Sequence, residues 1–175
     1  ALSDRLIEVP DAITHSHGGE GEHSHAVLAA ETWTDPLLAI EQARAIRLAL
    51  ETRLELPSDR LEENFSRLSE ELRQLDDSFS KAFAATPVRW TASRPGFSYL
   101  GRRYGLDLEF ANNWSADEVP GEKDWERFAG KLAGAATETV MLWDAEPLPA
   151  VRDRLREMGI EVLVFETGAN RPESG

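Results

Sequence analysis

The chain has 175 residues, enough for one well-cored domain of ordinary size and too few for two large ones, and about 41% of them are hydrophobic, a globular and not a disordered composition. Its 32 acidic residues outnumber 19 basic ones, for a net charge of −13, which argues against nucleic acid as a partner because phosphate binding needs gathered Lys and Arg. The longest apolar runs, such as Val140 to Trp143 and Val162 to Phe165, are strand-sized, far short of the roughly 18–20 residues of a membrane span, so no membrane insertion of this chain is expected.

In chain order, Leu6 to Val9 fits a short strand. The stretch from Asp11 to Ala26 follows, a loop of Gly, His, Ser and Glu. Asp35-Pro36 is a helix start, with Asp35 as N-cap and Pro36 at the first helical position, and this helix should run to about Leu54. A second helix, capped by Ser58 or Asp59, carries Leu61, Phe65, Leu68, Leu72, Leu75, Phe79 and Phe83 at steps of three and four. That apolar stripe marks a long helix packed along a domain rather than a coiled coil. Strands are then expected at Val88 to Ala92, Leu106 to Phe110, Thr139 to Trp143 and Ile160 to Phe165. Helices at Phe97 to Tyr104, Glu122 to Leu132 and Pro149 to Met158 separate them. Such alternation predicts an α/β fold, a four-stranded parallel sheet flanked by helices and joined by right-handed crossovers. Ligands of such sheets sit beyond the carboxyl ends of the strands, where Ser93, Arg94, Asn112, Asn113, Asp144, Glu146 and Glu166 fall.

All four histidines of the protein lie within eleven residues, as His15-Ser16-His17 and His23-Ser24-His25, with Glu20, Glu22 and three glycines between them. Imidazole nitrogen and carboxylate oxygen suit Zn²⁺, and the glycines let the two His-x-His arms fold toward each other. The chain has no cysteine, which removes thiolate zinc sites, disulfides and cysteine nucleophiles together. No H-E-x-x-H, G-x-S-x-G or phosphate-cradling glycine motif is present. Asp144 with Glu146 as an acid–base pair, or a hydrolytic zinc site with Glu20 or Glu22 as base, are the catalytic alternatives. The reading is a binding protein and not an enzyme.

The order of features resembles the zinc and manganese solute-binding proteins of ABC importers, the cluster A-I metal receptors. In that family a His-rich loop precedes D-P-H-x-W-L-D-P, a helix, and a long backbone helix. Here the loop precedes Glu31-Thr32-Trp33-Thr34-Asp35-Pro36, so Trp33, Asp35 and Pro36 match. The family's H-D-A-F-G-Y-F-A and Y-G-L correspond to Arg94-Pro95-Gly96-Phe97-Ser98-Tyr99-Leu100-Gly101 and Tyr104-Gly105-Leu106. Glu146-Pro147 resembles the family's later E-P, and Phe165-Glu166-Thr167-Gly168 stands where L-D-P-L-G is usual. Two family ligand histidines fall on Glu31 and Arg94, and a guanidinium has no lone pair to give a metal.

The resemblance implies capture of Zn²⁺, alternatively Mn²⁺, outside the cytoplasm, in the periplasm or at a membrane anchor, and delivery to an ABC permease. The candidate metal ligands are His15, His17, His23, His25, Glu31 and Glu166, with the loop taking over from the usual site. Arg94 paired with Glu166 or Glu31 across the old site is the other arrangement foreseen. The expected organisation is an N-terminal segment, 1–34, as the remnant of a preceding lobe, then a helical hairpin with the backbone helix, 35–86, and an α/β carboxyl-terminal lobe, 87–175. An exposed apolar face would favour a homo-dimer. The alternatives are a stand-alone metal chaperone or buffer of the same ancestry and an interaction module with a degenerate site.

Overall fold

A computed structural model of the chain describes residues 6–9, 14–15, 23–24, 27–54, 56–133 and 138–168. His17, Glu20, Glu22 and His25 lie outside the described residues, as does most of the loop between Asp11 and Ala26. The chain divides into two units, one built on residues 32–87 and one on residues 7–31 together with 88–168.

The first unit is helical. A 3₁₀ turn at Thr32–Thr34 leads into α1, Pro36–Leu54, and then α2, Ser58–Ala84. Asp35 caps α1 as expected: its Oδ1 accepts the Leu37 N–H at 2.9 Å and the Leu38 N–H at 3.3 Å, a contribution of about 1 kcal/mol. The second start differs from expectation. Pro57, not Ser58 or Asp59, occupies the N-cap of α2 with no side-chain cap, because both polar residues already lie inside the first turn. Arg47 of α1 pairs with Glu51 one turn on in the same helix at 2.8 Å, and it ties α1 to α2 by a 2.8 Å ion pair to Glu62 and by its guanidinium 5.5 Å over the Phe65 ring.

The stripe on α2 is displaced from the one its leucines suggest. Leu68 and Leu75 are each 42% exposed, whereas Ser69 and Asp76 are buried. The inward line therefore runs through Phe65, Ser69, Leu72, Asp76, Phe79 and Phe83, again at steps of four and three. A residue and its neighbour stand only about 100° apart on a helix, so a half-polar line beside an apolar one is not separable by periodicity alone.

The second unit holds the sheet. Its strands are β5 (Arg89–Ala92), β6 (Glu109–Phe110), β7 (Thr139–Trp143) and β8 (Ile160–Val164), all parallel in the order β6-β5-β7-β8. Connecting helices are α3 (Ser98–Tyr104), α4 (Glu122–Leu132) and α5 (Pro149–Glu157). This is the expected α/β fold, with β6 shortened to two residues at its carboxyl end. Two glycines close helices in the left-handed conformation, Gly105 after α3 and Gly159 before β8, with φ of 67° and 75°. On one face Trp114, Trp125, Phe128, Met141, Trp143, Val151 and Leu155 form the main core, with Trp114 and Trp125 ring centroids 4.5 Å apart. Among the described residues no helix is long and apolar enough to cross a membrane.

The amino-terminal part of this unit contains four two-residue strands where only one strand and a loop are expected. β1 (Glu8–Val9) pairs antiparallel with β4 (Val27–Leu28), and β2 (Thr14–His15) with β3 (His23–Ser24). The first pairing is extended by the Ala29 N–H donating to the Ile7 carbonyl at 3.0 Å.

Candidate functional site

Strand order decides where a site can form. From β5 the chain moves to β6 on one side and later to β7 on the other, so β5 and β7 flank the topological switch point of the sheet. Beyond the carboxyl ends of such a pair the connections diverge and leave a crevice. Arg94 stands two residues past β5, and Asp144 immediately follows β7.

The two side chains meet, and Glu31 joins them. Arg94 donates from Nε to Asp144 Oδ2 at 2.8 Å and from Nη1 to Glu31 Oε1 at 2.7 Å, while Nη2 lies 2.7 Å from Asp144 Oδ2. The guanidinium is 23% exposed, Glu31 13% and Asp144 18%. Burial alone would lower the Arg94 pKa, but the hydrogen bonds and charges of Asp144 and Glu31 outweigh it and hold the pKa above its ordinary value. One guanidinium against two carboxylates leaves this cluster one net negative charge.

The backbone is built to admit the cluster. Arg94 is extended, with φ −153° and ψ 163°, and a 3₁₀ turn at Pro95–Phe97 follows at once. A Cβ on Gly96 would stand 2.8 Å from Arg94 Nη1 and 2.9 Å from Glu31 Oε1, so only glycine lets both side chains cross there unshifted. Ser98 Oγ closes the turn by donating to the Pro95 carbonyl at 2.6 Å. Asn112 and Asn113, both in the left-handed region at φ 63° and 61°, turn the chain beyond β6, and the Trp114 N–H then returns to the Ser93 carbonyl at 2.8 Å.

The sequence-predicted residues are only partly brought together. Glu31 is in the cluster, bound to Arg94 as foreseen. Asp144 was foreseen at a strand end but not as the partner of Arg94, although its place directly after a strand flanking the switch point is the signal that finds it. Glu166 lies exposed two residues beyond β8, outside this cluster. Glu146 forms a 2.8 Å ion pair with Arg152, so Asp144 and Glu146 are engaged separately instead of acting as an acid–base pair. Among the described residues no three His, Asp or Glu side chains gather into a group able to hold a metal ion. Of the histidine segment the described residues are Thr14–His15 and His23–Ser24, and β2 and β3 set His15 directly opposite His23. The segment is fixed to the same unit at its start, where the Ile7 N–H donates to Tyr99 Oη at 3.0 Å, and at its end by Glu31. Phe97 and Tyr99, two of the aromatic positions of the motif, are fully buried packing residues.

Comparison with known proteins gives one consistent result. The metal-dependent lipoprotein YcdH of Bacillus subtilis is 18% identical, with a TM-score of 0.71 over 83% of this chain and 55% of that one. Zn(II)-bound AdcA of Streptococcus pneumoniae is 19% identical, with a TM-score of 0.71 over 85% of this chain and 32% of that one. The laminin-binding protein Lbp of Streptococcus pyogenes is 20% identical, with a TM-score of 0.66 over 85% of this chain and 57% of that one. The chain thus spans less than two thirds of each of these proteins, and at such identities the likeness shows a shared fold. No curated protein matches the chain. The family model for the periplasmic zinc-uptake complex component A matches residues 2–175. It bears out the resemblance drawn from the Trp33-to-Pro36 and Tyr104-Gly105-Leu106 motifs, and the chain belongs to that family of solute-binding receptors.

Proposed function

We propose that the chain binds Zn²⁺ outside the cytoplasm through His15, His17, His23 and His25 and passes it to an ABC permease, as a receptor and not as an enzyme. The observation that carries this reading is the register of β2 and β3, in which His15 faces His23 across the ladder. Directly opposed residues of an antiparallel pair have Cβ atoms about 4.5–5.5 Å apart, a spacing from which two imidazoles can share one tetrahedral ion. Each arm brings a second histidine two residues further along in sequence, His17 after His15 and His25 after His23. In this reading residues 87–175 are the carboxyl-terminal lobe and residues 35–86 the hairpin with the backbone helix. Glu31 is a poor ligand here because Arg94 already holds its carboxylate, and Glu166 lies outside that cluster. Mn²⁺, which prefers oxygen ligands, is the lesser alternative.

The test is a Zn²⁺ titration by calorimetry of the chain beside the variant with all four histidines changed to alanine. One equivalent bound by the chain and none by the variant is the expected result. Equal binding by both would move the site to Glu31 and Glu166. Binding by neither would favour an interaction module without an ion, the reading to which the Arg94 cluster lends weight.

A pH series checks the ligand type separately. A free imidazole titrates near pH 6.5, and only its neutral form has a lone pair for the metal. Lowering the pH from about 7.5 to about 5.5 adds protons that compete with Zn²⁺, so affinity should fall. An affinity that does not change across this range removes the histidines as ligands.

A further inference from the structure

We propose that Arg94 is a tethered cation that takes the place of an ion at the carboxyl edge of the sheet, so that Glu31 and Asp144 seat a divalent cation only when the guanidinium is removed. Two carboxylates, each less than a fifth exposed, converge on one point beside the switch point of the sheet. Carboxylates brought together out of water repel unless a positive charge lies between them. Here the charge is supplied covalently. All three guanidinium nitrogens face the two carboxylates, at 2.7 to 2.8 Å. Gly96 keeps the ground around Nη1 and Oε1 clear, which is a specific requirement of this arrangement. An arginine on the surface has no need of such a gap.

The consequence is that the edge site is closed to ions in the native chain, and ion binding there and at the histidine segment are independent properties. The inference does not rest on the histidine assignment. The parent for the test is the full chain with His15, His17, His23 and His25 all changed to alanine, which leaves no imidazole to confuse the result. Into it go Arg94→Ala, Arg94→Gln and Arg94→Lys, each checked for native circular dichroism; Gln is the substitute should Ala fail to fold. The probe is Mn²⁺ alone, a cation that oxygen ligands suit, followed by calorimetry and by loss of its free-ion paramagnetic signal.

The neutral variants should bind one equivalent of Mn²⁺ about tenfold or more tighter than the parent, since two carboxylates lose the cation that stood between them. Adding Glu31→Gln and Asp144→Asn should abolish the gain. Arg94→Lys should bind no better than the parent, because the positive charge remains. Folded neutral variants that bind no better than the parent overturn the proposal. So does a gain that survives loss of both carboxylates, which marks adventitious binding elsewhere, or an equal gain in the lysine variant, which makes shape and not charge the barrier.

Discussion

Replacing Trp143 with alanine should lower the stability of the α/β unit by about 3–5 kcal/mol, the range for removing a fully buried aromatic side chain. Trp143 ends β7 with no exposure, and its ring centroid lies 6.4 Å from that of Trp114, which in turn packs on Trp125 and Phe128. Three tryptophans and a phenylalanine in one cluster leave a large void when one is truncated, and their rigid rings cannot flow into it. The indole N–H of Trp143 is buried without an acceptor among the described residues, so that group subtracts from stability. Trp143→Phe removes it while keeping much of the ring and should therefore cost far less than the alanine change. Urea unfolding followed by far-ultraviolet circular dichroism measures both, read as a shift in midpoint at unchanged slope. A loss below about 1 kcal/mol for Trp143→Ala would mean that Trp114 and Trp125 close the gap, and that the core does not depend on this ring.

The same cluster illustrates what the sequence makes legible. Val140 to Trp143 announces a buried parallel strand because four apolar residues run without alternation, as strands covered on both faces require. Asp35-Pro36 announces the start of α1 because an acceptor followed by a residue without an N–H satisfies a helix amino terminus, and Asp35 does bind the two amides. The pairs β1–β4 and β2–β3 were not legible, since two-residue strands carry no period, and their register partners lie 18 or 20 and 8 or 10 positions away. The line of α2 that turns inward was misread because Leu68 and Leu75 outscore Ser69 and Asp76 on any hydrophobic count. Sequence shows the width of an apolar face, but what covers it selects the line.

The candidate site was half legible for a related reason. Arg94 and Glu31 drew attention because each stands where the family pattern has a histidine, and a cation opposite an anion suggests a pair. Asp144 is 113 residues from Glu31 in sequence, and only the adjacency of β5 and β7 brings its carboxylate to the same guanidinium. Strand order is a long-range property that local patterns do not encode. Phe97 and Tyr99 are fully buried and serve packing, so they can keep the scaffold of the motif although its first residue here is a cation where the resemblance places a histidine.

Gly96→Ala tests that change from the backbone side and is expected to cost about 1–3 kcal/mol, the usual penalty of overpacking. Gly96 is not in the left-handed region, so alanine meets no backbone strain and should even gain slightly in the 3₁₀ turn. The penalty must therefore come from the new methyl, which would approach Arg94 Nη1 at 2.8 Å, Glu31 Oε1 at 2.9 Å and Arg94 Cζ at 3.1 Å. Long side chains normally swing away from such contacts at little cost. Here Asp144 holds the guanidinium from its other side, so the methyl forces Arg94 and Glu31 apart and breaks the 2.7 Å bond between them. A double-mutant cycle isolates this account. In an Arg94→Ala, Glu31→Ala background the added methyl loses its three nearest neighbours, and Gly96→Ala should become neutral or stabilising by urea unfolding. If the penalty persists at full size in that background, the glycine serves the turn itself, and the clamp on Arg94 is looser than its geometry implies.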